Sequence, residues 1–298
     1  MKSSSRSFRL ILAFLVSLIF TQSQAQEPAD ITIHRGDIPL KGKFYETEGT
    51  GVFPTVILLH GFPGNDKDIL DIGRKLPEAG INALTFNYSG THQSEGLFNF
   101  ENSQKDIKAA FEFIYHSGNI SKYKIDTNHV YLGGYSYGGG MALTYAANHP
   151  ETQSVFSIAG NDHGAFIKEY NHNPEVRDMI DKMFDDLKNQ PEIVRFGPGG
   201  TPEAMAEMEI IKLNPTYDLR YCAPMLAQKN ILLIGAWDDV NVSIENVVLP
   251  LYRALKNEKA KNVKITAVQD DHSFRNSREE LAQIIIEWIK TTSERNKY

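Results

Sequence analysis

The chain is poor in sulfur and holds no long apolar run. Cys222 is its one cysteine among 298 residues. A lone thiol closes no bridge within the chain, and no Cys/His group has zinc spacing, so disulfide scaffolds and zinc ribbons are excluded. Positive charge is not in excess either. Thirty-one Lys+Arg face 37 Asp+Glu, a net charge of −6, and a broad nucleic-acid footprint is not expected. The main apolar run, Leu10 to Phe20, falls well short of the roughly 20 residues that span a bilayer. Internal repeats and low-complexity segments are absent. What remains is ordinary globular composition, 41% hydrophobic and 23% charged. The length allows two domains of about 150 residues, but α/β folds of this size often form one. Such a chain can bury a large core without a metal or disulfide staple.

The N-terminus reads separately. Lys2, Arg6 and Arg9 precede the apolar run, and Ser23 and Ala25 provide small residues at −3 and −1 of a cleavage after Ala25. This is the pattern of a secretory signal peptide over residues 1–25. Its loss leaves a mature chain, 26–298, of charge −9. The expected location is secreted or periplasmic, with no membrane insertion after cleavage.

In the mature chain, short apolar runs alternate with helix-like stretches, the βαβ rhythm of a mostly parallel sheet. Ile31–Arg35 and Lys43–Thr47 read as an edge hairpin. Thr55–His60, Ile81–Tyr88, His129–Gly133 and Val155–Ala159 read as strands, and Thr55–His60 is apolar throughout, as burial on both faces demands. Asn65 or Asp66 can cap a helix running to Pro77. A second helix, from Ser103 to Tyr115, carries Ile107, Ala110, Phe111 and Ile114 on one stripe, and Gly138–Ala147 is a third. The rhythm breaks at Asn161. Helical stretches Pro174–Asn189 and Pro202–Leu213, joined by Gly197-Pro198-Gly199-Gly200, read as a helical cap inserted over about 161–225. Alternation resumes with Asn230–Ala236, a helix over Asn246–Lys256, Val263–Gln269 and a helix over Arg278–Lys290. Such an insert belongs over the C-terminal ends of the strands, where ligands bind.

The chemistry centres on Gly134-Tyr135-Ser136-Tyr137-Gly138, placed between an expected strand and an expected helix. That context makes G-x-S-x-G a nucleophile elbow, with Ser136 lifted clear of the sheet. A hydroxyl nucleophile needs a base, and the base needs an orienting acid, in the chain order Ser, acid, His. His272, in Asp270-Asp271-His272-Ser273-Phe274 after the last strand, is the expected base. The acid follows Ile231-Leu232-Leu233-Ile234. Asp239 is preferred because Val242 then falls in place, with Asp238 as the alternative. Oxyanion donors are expected from the Tyr137 amide and from His60-Gly61-Phe62-Pro63-Gly64, where Phe62 has an N–H and Pro63 has none. His60 reads as structural. Asn161, Asp162 and His163 at the start of the cap, and Trp237 beside the acid, are weaker candidates for the substrate pocket. Phe166, Tyr170, Phe184 and Phe196 read as the core of the cap.

Strand–HGFPG–helix, GYSYG, an Asp loop and DDHSF together resemble the α/β-hydrolase fold, over residues 40–290. The resemblance is closest to its esterase and peptidase-like serine hydrolases, the prolyl-oligopeptidase-type catalytic domain and feruloyl-esterase-like enzymes. In that group an N-Y-R-G segment precedes the elbow; here it is Asn87-Tyr88-Ser89-Gly90, with Ser89 where Arg is common. Ser243 stands where many have Pro. The resemblance implies a Ser-His-Asp hydrolase of a small-molecule ester, or alternatively of an amide or peptide, without cofactor or metal. Ser136 excludes a dehalogenase, which needs Asp there. A non-catalytic binding protein on this fold would be expected to lose the nucleophile or base. Acyl group, leaving group and oligomeric state are not legible.

Overall fold

The computed structural model describes residues 27–65 and 67–295. The signal-peptide reading and Asp66 lie outside the described residues. β1 (Ala29–Arg35) and β2 (Ile38–Tyr45) form an antiparallel hairpin turned at Gly36. There follow β3 (Phe53–Leu59), α1 (Ile72–Glu78), β4 (Asn82–Phe86), α2 (Phe100–Tyr115), α3 (Ser117–Lys122) and β5 (Ile125–Tyr135). α4 (Tyr137–Asn148) and β6 (Ser154–Ile158) complete the first half. Five helices come next: α5 (His163–His172), α6 (Pro174–Lys188), α7 (Pro202–Glu207), α8 (Ile210–Leu213) and α9 (Ala223–Leu226). β7 (Asn230–Ala236), α10 (Leu249–Asn257), β8 (Val263–Val268) and α11 (Arg278–Arg295) close the chain.

The eight strands make one sheet in the order β1-β2-β4-β3-β5-β6-β7-β8. β1, β2 and β4 pair antiparallel, and the rest from β4 to β8 are parallel. β4 and β6 are buried at every position, and β3 and β7 at nearly every one. Helices on both faces exclude water from them, so Val, Ile and Leu fill both sides. On α2 the stripe of Ile107, Ala110 and Ile114 is buried and Phe111 packs at its margin. The Asn99 side chain accepts from the Asn102 amide at 2.7 Å and starts the helix.

Three local expectations are corrected. α1 begins at Ile72, not near residue 65. Asn65 instead accepts from the Lys67 amide in a tight turn, and Asp68 accepts from the Gly73 and Arg74 amides of the helix. The stretch 202–213 divides into α7 and α8 because Glu209 adopts φ 50°. The expected helix over Asn246–Lys256 is a π-turn, Ile244–Val248, that continues into α10.

The helices between β6 and β7 are fastened to the loop after β4. His92 N–H donates to Ile193 O, Arg195 N–H to Gly90 O, Phe98 N–H to Arg195 O and Gly197 N–H to Phe98 O, at 2.7–2.9 Å. An aromatic group reinforces this strap. Phe184 of α6 stacks on Phe62 at 5.4 Å, Phe98 adjoins Phe62, and Phe196 adjoins both rings. Tyr170, Ile180 and Phe184 form a small buried cluster, with Phe166 against it. The insert therefore lies against the loops at the C-terminal ends of β3 and β4.

Candidate active site

Ser136 occupies the turn between β5 and α4 with φ 54° and ψ −118°. A non-glycine residue held there is strained, and neighbouring bonds must over-determine it. They do: Ser136 N–H donates to Ile158 O, and Ser136 O accepts from Asn161 N–H and Gly140 N–H. The turn also needs bare backbone on either side. A Cβ on Gly134 would lie 2.4 Å from the Gly138 carbonyl carbon and oxygen. One on Gly138 would lie 2.5 Å from His60 O and 2.6 Å from Leu59 O. Both contacts are closer than carbon can approach.

His272 arrives on the loop between β8 and α11. Asp270, almost fully buried, holds that loop by accepting from the amides of Asp271, Asn276 and Ser277 and from Ser277 Oγ. Burial pushes the Asp270 carboxyl up, but these hydrogen bonds outweigh it and hold the group below the usual range. Tyr135 Oη donates to the His272 carbonyl at 2.7 Å. The imidazole then faces both expected partners: Nε2 is 3.0 Å from Ser136 Oγ and Nδ1 is 2.7 Å from Asp239 Oδ2. A carboxylate only accepts, so Nδ1 carries a proton toward Asp239, and in that tautomer Nε2 is the acceptor for Ser136.

Asp239 and not Asp238 meets the imidazole. Its other oxygen, Oδ1, accepts from the Asn241 and Val242 amides, each at 2.8 Å. Burial raises the Asp239 carboxyl, but the His272 and amide hydrogen bonds bring it below its ordinary value. Asp238 turns outward and accepts from Gln269 Nε2 at 2.6 Å.

Tyr137 is the first residue of α4, so its amide belongs to the first turn, whose N–H groups lack intrahelical acceptors. Its ring is buried against Tyr88, Phe98 and Phe100, and its hydroxyl donates to Ser103 Oγ at 2.8 Å. The loop after β3 passes beside the serine: a Cβ on Gly61 would lie 3.3 Å from Ser136 Cβ. Phe62 follows directly, its ring clamped by Phe184. His60 is buried, and burial, with His92 nearby, lowers its ring to about 3, so it is neutral.

The weaker pocket candidates divide. Asn161 reaches Ser136 through its amide, which donates to Ser136 O. Asp162 and His163 are buried, which corrects the expectation that they line a pocket. Asp162 caps α5 by accepting from Ala165 N–H at 2.9 Å. His163 is 1% exposed and enclosed by the rings of Phe100 and Tyr137. Trp237 is 57% exposed at the surface of the acid loop.

One cluster escaped the sequence reading. Arg35 of β1 reaches across to Ser89, donating to its Oγ at 2.8 Å, and its Nε lies 2.7 Å from Asp106 of α2. Ser89 donates to Asp106 from both its amide and its hydroxyl. A guanidinium thus does stand at the Ser89 turn, supplied by the hairpin. The signal was Ser89 itself, a short polar residue at a buried turn.

A protein-family model described as the alpha/beta hydrolase fold matches residues 54–194. An esterase of Pyrococcus furiosus superimposes with a TM-score of 0.63 at 20% identity, over 89% of this chain and 91% of that one. The chain has the α/β-hydrolase fold. Among curated proteins, a proline iminopeptidase of Saccharolobus solfataricus is 22% identical over 248 residues, 69% of this chain and 76% of that protein. The quorum-quenching protein AidA of Acinetobacter baumannii is 28% identical over 137 residues. That match spans 44% of this chain and only 43% of AidA. On the hydrolase fold, ligands bind outside the carboxyl ends of the parallel strands, the edge at which Ser136, His272 and Asp239 meet.

Proposed function

We propose that this chain is a serine hydrolase that cleaves a carboxylic ester through an acyl-enzyme on Ser136. The observation that carries the reading is the continuous chain Ser136 Oγ to His272 Nε2, and His272 Nδ1 to Asp239 Oδ2, at 3.0 and 2.7 Å. His272 takes the proton as Ser136 Oγ attacks the carbonyl carbon, and Asp239 stabilises the imidazolium that forms. The Tyr137 and Phe62 amides stabilise the oxyanion, each contributing about 3 kcal/mol by the scale of known donors. As the tetrahedral intermediate collapses, His272 gives its proton to the departing alcohol. Water, deprotonated by the same imidazole, attacks the acyl-enzyme; His272 then returns that proton to Ser136, which leaves the acid. The signal-peptide pattern supports action outside the cytoplasm.

The second reading is an amidase or peptidase with the same triad. The likeness to a proline iminopeptidase over most of both chains favours it. Ester and amide share the tetrahedral step, so a substrate series separates them. Mature protein is assayed on p-nitrophenyl esters of graded acyl length and on aminoacyl p-nitroanilides. The ester reading predicts turnover of esters at least 100-fold above the anilides after correction for their uncatalysed rates. Comparable or greater turnover of the anilides assigns the chain to the peptidases.

A further inference from the structure

A polar cleft of about 430 Å³ lies between the β1–β2 hairpin and the loop after β3. In antiparallel strands, residues directly opposite share a face. The pairings Asp30 with Lys43, Thr32 with Lys41, and Lys43 with Thr85 therefore put these side chains on one side of the sheet. Ile31, Ile33 and Phe44 are buried on the other. α1 covers the polar face at the Tyr45 end, where Gly73 lies against the Tyr45 ring. Beyond it the face is open, and Lys67 and His60 from the β3 loop form the opposite wall.

Among the described residues that line the cleft, Lys41, Lys43 and Lys67 stand against Asp30. Lys43 Nζ is paired with Asp30 at 2.9 Å, and Lys41 Nζ donates to Thr32 Oγ1 at 3.2 Å. Among the described residues no carboxylate pairs with Lys41 or Lys67, and both lysines line the one space.

Position ties this space to the nucleophile. β4, β3 and β5 are successive neighbours in the sheet. The cleft's near edge is the C-terminal end of β4, two strand spacings or about 10 Å from β5, which Ser136 follows; Lys41 on β2 stands one spacing beyond that edge, a gap of about 5 Å that a lysine side chain can cross. His60 lines the cleft, and the next residue, Gly61, reaches Ser136. We propose that this cleft binds a carboxylate or phosphate group borne by the substrate of Ser136. The inference rests on the esterase reading above and narrows it to esters with an anionic group about 10 Å from the scissile carbon.

Two arms test it. In the first, succinate and inorganic phosphate are titrated separately into the mature protein by calorimetry at low salt. The cleft predicts saturable binding of at least one, weakened 10-fold or more in Lys41→Gln/Lys67→Gln and kept in Lys41→Arg/Lys67→Arg, with unchanged Tm in both variants. No saturable binding, or equal affinity in the Gln variant, overturns the site. In the second, KM is measured for the mono-p-nitrophenyl ester of suberic acid and for p-nitrophenyl octanoate, which have the same acyl length. The ratio of the two KM values is predicted to rise about 10-fold in the Gln variant. An unchanged ratio together with anion binding means that a free anion, not the substrate, occupies the cleft, and overturns the proposal. If neither ester turns over in any variant, the hydrolase reading fails, while the first arm still reports on the cleft.

Discussion

Tyr135 Oη donates to the main-chain carbonyl of His272 at 2.7 Å, and the two rings lie 5.2 Å apart. Tyr135 directly precedes Ser136, so the residue beside that serine also holds the loop that carries His272. The elbow and the imidazole are joined by a bond that involves neither reacting atom. Tyr135→Phe removes one part-buried hydrogen bond, worth about 1 kcal/mol. The expected result is a kcat lowered about 5-fold with KM nearly unchanged, read by steady-state kinetics on an ester.

The two adjacent aspartates separate cleanly. Asp239 accepts from the imidazole and from two amides, whereas Asp238 accepts from Gln269 and donates its backbone N–H to Asp270 O. Asp239→Asn presents an amide that can force the wrong tautomer, and a loss in kcat of about 10⁴ is expected, the size seen for the equivalent change in serine proteases. Asp238→Asn should stay within about 3-fold of wild type, as befits a surface carboxylate. Parallel kcat measurements on the two variants check both statements.

Gly138 tests the elbow itself. An added methyl meets two carbonyl oxygens, His60 O and Leu59 O, within 2.6 Å. Backbone cannot yield as a flexible side chain does, so Gly138→Ala should destabilise by about 3 kcal/mol or more. That corresponds to a Tm lower by roughly 6–12 °C in thermal unfolding.

The buried pair of Arg35 and Asp106 gives a pH signature. Burial pushes the Asp106 carboxyl up to about 6, against the Ser89 hydrogen bonds and the Arg35 charge that pull it down. The unfolded chain ionises this group near 3.9, so between about pH 4 and 6 the folded state holds a proton that the unfolded state has lost. Its contribution to stability therefore falls as pH rises through that window and is level above it. Asp106→Asn cannot titrate. The difference in unfolding free energy, wild type minus variant, should drop by up to about 3 kcal/mol between pH 4 and 6.5, measured by urea denaturation.

Much of this was readable because single residues carried their own context. Gly134-Tyr135-Ser136-Tyr137-Gly138 declared the strand-to-helix turn that holds Ser136, and the continuous apolar runs of β3 and β7 declared buried parallel strands. Val242, three residues past Asp239, favoured that residue over Asp238, and its amide bonds the Asp239 carboxylate. What was illegible depends on contacts that residue type alone does not announce. The start of α1 is set by Asp68, whose carboxylate accepts amides five and six residues on, and not by the nearer polar residues. Asp162 and His163 look like pocket residues because they follow a strand end, yet α5 begins there and its first turn is packed under aromatic rings. The strap between residues 90–98 and 193–197 uses backbone groups, which leave no mark on side-chain identity.

The central claim, an activated serine at residue 136, is tested most directly by mass. Mature protein is incubated with a fluorophosphonate, weighed intact and mapped by peptide mass spectrometry, with Ser136→Ala and His272→Ala alongside. The geometry predicts one adduct per chain, on Ser136, absent from Ser136→Ala and formed at least 100-fold more slowly in His272→Ala. Labelling that persists in Ser136→Ala, or a folded wild type that takes up neither this probe nor a small acetyl ester, would contradict it.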